Sequence, residues 1–299
     1  MTAEQYLTIR VNRLYLFCEN FINERDEALS SVFLSIYKKL LSVPEGISLL
    51  ATRPFRSPHH TVTVPGMAGG GAIPQPGEIS LANNGVLFLD ELPEFTKAVT
   101  ESLRQPLEDG VVTVTRAAAK MTYPARFMLV CAMNPCRCGY FGDSVRRCTC
   151  SPTARQQYIQ KISGPLLDRM DIQIEIPSVT YDDLSGKNAG GECSGDIRER
   201  VNNGRKFTDE RLARGGDKPG TLNANMSPAM MRKYCVPDEA GSNLLRAAFE
   251  NIGLSARGHD RILKVARTIA DLDGMDQINE DHIAEAIMYR SLDRKYWKR

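Results

Sequence analysis

No stretch of the 299 residues matches G-x-x-x-x-G-K-S/T, the loop that cradles nucleotide phosphates with backbone N–H groups and a lysine. The only Gly-Lys pair, Gly186-Lys187, runs on into Asn188 and opens no helix. Long apolar runs are missing as well, and nothing approaches the roughly 20 residues of a membrane span. The N-terminus lacks the charged, apolar and small-residue zones of a secretory signal. A cytoplasmic protein without membrane contact is therefore expected. Excess charge is small, at +2, so composition argues for neither nucleic acid nor an anionic surface, and any nucleic-acid face must be local. What remains, 42% hydrophobic and 25% charged residues, is an ordinary globular balance. The length allows one large or two ordinary domains.

Along the chain an α/β part gives way to a helical part. Residues 1–45 read as helical, apolar and aromatic (Leu14, Phe17, Phe21, Phe33, Ile36), with no recognisable chemistry. Residues 46–177 read as an α/β core. Its first stretch, to Gly77, is punctuated by proline and glycine, and Gly69-Gly70-Gly71 is the most pliable point. Three short apolar runs, Val86–Leu89, Phe127–Met133 and Ile172–Ile176, have the character of buried sheet strands. Between them Glu94–Leu107 is expected to be one amphipathic helix with Phe95, Ala98, Val99 and Leu103 on its apolar side. Asp109-Gly110 marks a turn, and Val111–Thr115 alternates like a hairpin strand. Residues 178–226 read as a polar linker around a charged helix near Asp196–Arg214. Residues 227–299 read as a small all-helical domain, with Leu244, Leu245, Ala248, Phe249 and Ile252 on one face and Ile262, Val265, Ala266 and Ile269 on another. Asn279 is placed to cap the last helix.

Several residues carry chemistry. Gly85–Glu91 reads GVLFLDE, an apolar strand delivering Asp90 and Glu91 at its carboxyl end. A P-loop NTPase uses such a pair to hold Mg²⁺ and to polarise the attacking water. Two acids capping the next helix would look the same. Asn134 ends a second strand run, where a polar side chain positions water beside a γ-phosphate, or fills a strand-exit turn before Pro135. Arg169, directly before the third run, suits an arginine finger reaching a neighbouring subunit's phosphate. The alternative is a structural ion pair with Asp168 or Asp171. Arg257 lies in the first turn of a helix capped by Ser255, from which an arginine leans back onto a nucleotide. Arg261, one turn on, does the same or faces solvent. His59 and His60 are adjacent loop residues, either ligands for a metal or phosphate or simply hydrogen-bonded turn residues.

Of eight cysteines, four fall in one C-x-C-x9-C-x-C stretch: Cys136, Cys138, Cys148 and Cys150. Two close thiol pairs around a glycine-containing loop suit a tetrahedral Zn²⁺ site, and without an open ligand position its role is structural. The alternative is a reduced or redox-active cluster. Arg137, Arg146 and Arg147 flank the loop and offer contacts to nucleic-acid phosphates, or are merely solvated.

Six segments occur in order: RPFRSPHHT (Arg53–Thr61), PGEISLANNGVLFLDELPEF (Pro76–Phe95), LRQPLEDG (Leu103–Gly110), MNPCRCGYFGD (Met133–Asp143), SGPLLDRMD (Ser163–Asp171) and SARGHDRILKVARTIADL (Ser255–Leu272). Together they resemble the magnesium-chelatase-like AAA+ ATPases of the YifB/ComM type, over about residues 46–299. The resemblance implies a helix-2-insert AAA+ core in a hexameric ring, followed by an all-α lid, with Gly69–Ile79 in the insert and Val111–Ala125 as a hairpin. It implies ATP with Mg²⁺ as cofactor, Asp90 and Glu91 as the Walker B acids, Asn134 as sensor 1, Arg169 as the finger and Arg257 as sensor 2. Arg261 is a further nucleotide-facing candidate. The ComM branch is associated with natural transformation and DNA branch migration, and the chelatase branch with insertion of Mg²⁺ into porphyrin. The cysteine knuckle resembles the ComM/YifB side, which makes DNA the expected partner.

Family members carry a Lon-protease-like domain and the P-loop ahead of this segment, and residues 1–45 resemble neither. The expectation is a gene truncated or rearranged upstream, or a mispredicted start, and an incomplete P-loop core. Three functions follow. One is a DNA-remodelling motor subunit, impaired unless another polypeptide or a longer form supplies the loop. Another is a non-catalytic module that joins rings of a full-length paralogue or binds DNA. The third is a chelatase accessory subunit.

Overall fold

A computed structural model describes residues 53–71, 74–115, 120–143, 146–176, 192–252 and 255–290. The segment 1–45 and its expected helices lie outside them. The described strands are β1 (Phe55–Arg56), β2 (Gly69–Gly70), β3 (Gln75–Pro76), β4 (Val86–Leu89), β5 (Val111–Thr115), β6 (Lys120–Pro124) and β7 (Met128–Cys131). The fold is mixed α/β with a parallel sheet, ordered β1-β4-β7, and C-terminal helices.

β4 is central because its sequence is apolar on both faces. Val86, Leu87 and Leu89 are buried, and Phe88 turns to the other face to stack on Phe55 at 6.1 Å. Its register with β7 pairs Val86 with Met128 and Leu89 with Cys131, so both strands end level. Entry into β4 needs a glycine. A Cβ on Gly85 would lie 2.0 Å from the Pro54 carbonyl oxygen, which accepts from Val86 N–H at 2.9 Å and starts the β1 pairing. Below the sheet Met67, Ile79, Leu87, Leu89, Leu92, Leu103 and Leu166 form a core at 0–1% exposure. Each such side chain contributes about 1.5–3 kcal/mol by leaving water. The β5–β6 hairpin turns Val112, Val114 and Tyr123 into this core and leaves Thr113 and Thr122 hydrogen-bonded outside, at 3.1 Å.

Two expectations change. The helix expected over Glu94–Leu107 is divided into a 3₁₀ turn (Leu92–Glu94) and helices Lys97–Ser102 and Arg104–Asp109. Pro106 explains the second break, since it has no N–H to give and its ring crowds the carbonyl four residues back, that of Ser102. Phe95, Val99 and Leu103 are buried as expected; Ala98 is exposed and Thr100 takes the inward position. Ile172–Ile176 is not a sheet strand. It is extended, but Gln173 N–H donates to the Tyr289 carbonyl at 2.7 Å, and Ile172 and Ile174 are each 37% exposed. Apolar composition makes a run fit for a sheet, but only a ladder partner makes it a strand.

The charged helix expected near Asp196 runs from Ser194 to Arg214 and packs on helix Ala256–Leu272. Gly204 permits the approach, because a Cβ there would meet the Leu272 side chain at 2.8 Å. At the seam Asp271 accepts from Thr208 (2.9 Å), Arg211 (3.0 and 2.9 Å), Asn223 (2.8 Å) and Arg267 (3.0 Å). An apolar cluster centred on Ile262, Ala266, Ala270, Ile278 and Ile283 fills the rest. Asn279 caps helix Glu280–Met288 through a reciprocal box with His282: each side chain accepts the other's backbone N–H, at 3.0 and 3.1 Å.

Candidate functional site

Asp90 and Glu91 stand where the ends of β4 and β7 lie side by side. Leu92 N–H donates to Ala132 O and Ala132 N–H to Leu89 O, which ties the two exits together. Asp90 is exposed, and its Oδ1 accepts the Glu91 N–H at 2.8 Å. Glu91 adopts the left-handed conformation, φ 51 and ψ 45, and is exposed. That bend takes its side chain off the line of the strand, and its Oε2 lies 3.4 Å from Nδ1 of His60. His60 in turn meets the Phe95 ring edge-on at 6.4 Å. The histidine pair thus divides: His59 bonds Thr61 in its own turn, at 3.0 Å, and His60 faces the acid. Asn134 follows β7 and is exposed.

The arginines form a second group. Arg169 is 8% exposed; its Nη1 donates to Pro165 O at 2.6 Å, its Nη2 lies 2.7 Å from Glu108, and its buried Nε has no acceptor. Its acid is therefore Glu108, neither Asp168 nor Asp171. Asp171 pairs with Arg261, and Asp168 lies 4.0 Å from Arg290. Arg257 also reaches Glu108, at 3.4 Å, on the other carboxylate oxygen. The hydrogen bond from Arg169, with the charges of Arg169, Arg257 and Arg261, holds the Glu108 carboxyl below the ordinary carboxylate range. Among the described residues no ion pair joins this group to Asp90 or Glu91.

The four cysteines converge as their spacing suggests. Their sulfur atoms all lie within 4.8 Å of one another, and three of the pairs measure 3.4, 3.6 and 3.6 Å. A tetrahedral zinc with Zn–S near 2.3 Å places its sulfurs about 3.8 Å apart. Disulfides are far shorter, at about 2.05 Å, and all four thiols are free. Backbone N–H groups of Tyr140 and Thr149 pull the Cys138 thiol down to about 5. Arg155 clamps the loop to helix Pro152–Ile159, donating to Cys150 O at 3.0 Å while lying 4.3 Å over the Phe141 ring. That helix buries Tyr158, whose hydroxyl is pushed up to about 12 by burial and by the charges of Glu94, Glu91 and Cys136. Tyr158 thus feels both the knuckle and the acids.

Sequence reasoning missed Glu108 because an acid in the last turn of a short helix carries no signal, and its partners lie far along the chain. It missed the His60–Glu91 contact because adjacent histidines are more often turn residues.

Residues 25–184 match the family described as magnesium chelatase, subunit ChlI, and residues 191–290 match that subunit's C-terminal family. The first match begins inside the segment 1–45 that the motifs had left outside the resemblance. Competence protein ComM of Haemophilus influenzae is 46% identical over 242 residues, 81% of this chain and 46% of that protein. The protein YifB of Escherichia coli is 46% identical over 293 residues, 98% of this chain and 54% of its own length. The chloroplast magnesium-chelatase subunit ChlI-1 of Arabidopsis thaliana is 23% identical over 214 residues, 71% of this chain and 43% of that subunit. The chain thus spans about half the length of the relatives it matches. With two family matches following one another in the order of the two parts of the fold, the chain belongs to the magnesium chelatase ChlI family.

Proposed function

We propose that this chain is part of a ring-forming AAA+ motor subunit that remodels DNA in an ATP-dependent manner. The acid pair at the exit of β4, level with the exit of β7, carries the reading. Asp90 and Glu91 supply the hard oxygen donors that Mg²⁺ takes, and Glu91, turned toward His60, is the residue to orient a water. Asn134, Arg169 and Arg257 are the further groups for a γ-phosphate, with Arg261 beside them. The phosphate cradle itself is not among these 299 residues. No hydrolytic step is derived from them alone, and the loop must come from a longer form or another polypeptide. Zinc fits the four thiolates in number, chemistry and spacing, and would lock the knuckle. DNA is favoured over porphyrin by the identity to the competence protein, twice that to the chloroplast chelatase subunit, and by the exposed Arg137, Arg146 and Arg147 on the knuckle.

The test is ATP hydrolysis by the full chain, alone and with a family polypeptide that supplies the loop. Hydrolysis is expected only in the mixture and is expected to disappear with Glu91→Gln. Hydrolysis by the chain alone would refute the need for an added loop, and a mixture indifferent to Glu91→Gln would refute the role of the acid. A second reading, a non-catalytic module that joins the rings of a full-length relative, is favoured by the missing G-x-x-x-x-G-K-S/T. It predicts co-assembly that lowers the relative's hydrolysis.

A further inference from the structure

Glu108 divides one carboxylate between two arginines from different parts of the chain. It lies in the last turn of helix Arg104–Asp109; Oε2 meets Arg169 at 2.7 Å, and Oε1 meets Arg257, on the first turn of the lid helix, at 3.4 Å. Neither guanidinium is used fully. Arg169 keeps a buried Nε–H without an acceptor, and the Arg257 side chain is 64% exposed. The charges do not balance either: among the described residues, Arg169, Arg257 and Arg261 pair only with Glu108 and Asp171. A phosphate chain offers more oxygens than a carboxylate and more negative charge, in the geometry that guanidinium forks match best.

We propose that Glu108 is a positioning residue that occupies a phosphate site, holding Arg169 and Arg257 together until a phosphate-bearing ligand displaces its carboxylate. This rests on the reading of the two arginines as phosphate-facing. The exchange leaves the lid attached, because other contacts span the same seam. Arg261 pairs with Asp171, Arg290 donates to Met170 O at 2.7 Å, and Gln173 N–H donates to Tyr289 O at 2.7 Å. The arginines therefore remain close together after Glu108 leaves. As the carboxylate is the competitor, its removal should strengthen anion binding.

The experiment titrates the full chain with inorganic tripolyphosphate by calorimetry. Glu108→Gln is expected to bind about tenfold more tightly than the unaltered chain, and Glu108→Asp, whose shorter arm cannot span both arginines, to fall between them. Arg257→Ala, an exposed position whose loss leaves the fold intact, is expected to weaken binding at least about tenfold. Equal or weaker binding by a folded Glu108→Gln overturns the proposal. If that variant does not fold, unchanged binding by Arg257→Ala overturns it. Loss of binding in Arg146→Ala/Arg147→Ala instead would place the anion on the knuckle and also overturn it. None of these readings needs hydrolysis, DNA or the missing loop. A chain that behaves as expected here but never supports ATPase activity refutes the motor and keeps the latch.

Discussion

Replacing Asp271 with alanine should cost the helical part about 3–5 kcal/mol, the range for breaking a buried ion pair from one side. Asp271 is 2% exposed, and the two guanidinium groups on it, Arg211 and Arg267, are 6% and 1% exposed. The substitution removes the acceptor of five hydrogen bonds and leaves two cations with no anion between them. The upper end is moderated because Arg267 keeps the carbonyls of Met275 and Asp276, and Arg211 keeps Asn223 Oδ1 at 3.1 Å. The control is Asp276→Ala, which breaks the Arg214–Asp276 pair, 59% and 61% exposed. Despite its 2.6 Å contact, that pair should contribute no more than about 1 kcal/mol. Hydrogen exchange resolved to helix Ala256–Leu272 reads the opening free energy of this part separately from the α/β core. A loss below about 1 kcal/mol for Asp271→Ala, or equal losses for the two variants, would refute the reasoning. Arg211→Met/Asp271→Leu should recover only part of the loss, because it removes one cation with the anion and leaves Arg267 held by the carbonyls of Met275 and Asp276.

Three further outcomes follow from other parts of the chain. Metal analysis after reducing purification should find about one zinc per chain, and chelation should add four thiols to those reactive with a disulfide reagent; much less than one zinc sinks the site. Gly85→Ala should destabilise the α/β core by about 2 kcal/mol or more in denaturant unfolding, because the added carbon meets the Pro54 carbonyl rather than a yielding side chain; a shift near zero refutes the close approach. Glu108 has a folded-state pKa below its ordinary 4.5, so its stabilisation is full above that value and is lost as pH falls through the lowered one. Amides of the C-terminal helical part near Arg257 should therefore lose protection in acid, and Glu108→Gln should flatten that dependence.

The readable features share a short range. The cysteine cluster is legible because its thiols lie within one loop, and the Asn279 and Ser255 caps because a cap acts within three residues. Strands β4 and β7 are legible because each is a short continuous apolar run. Ile172–Ile176 has the same composition, and only the position of its neighbours denies it a ladder. Helix Ala256–Leu272 is readable on its Ile262 and Ala266 face. The burial of Arg267 and Asp271 is not, since at i,i+4 they look like a solvated pair. Glu108, Arg169 and Arg257 come together only through the tertiary fold.

The bend at Glu91 has a consequence for evolution of the chain. A left-handed backbone is costly for a side chain with a Cβ, on the order of 1 kcal/mol or more, and glycine would relieve it. Selection for thermal robustness alone would therefore tend to erase the glutamate. Lineages that retain it are paying for what its carboxylate does, so this one position can report whether a given copy is still under selection for chemistry.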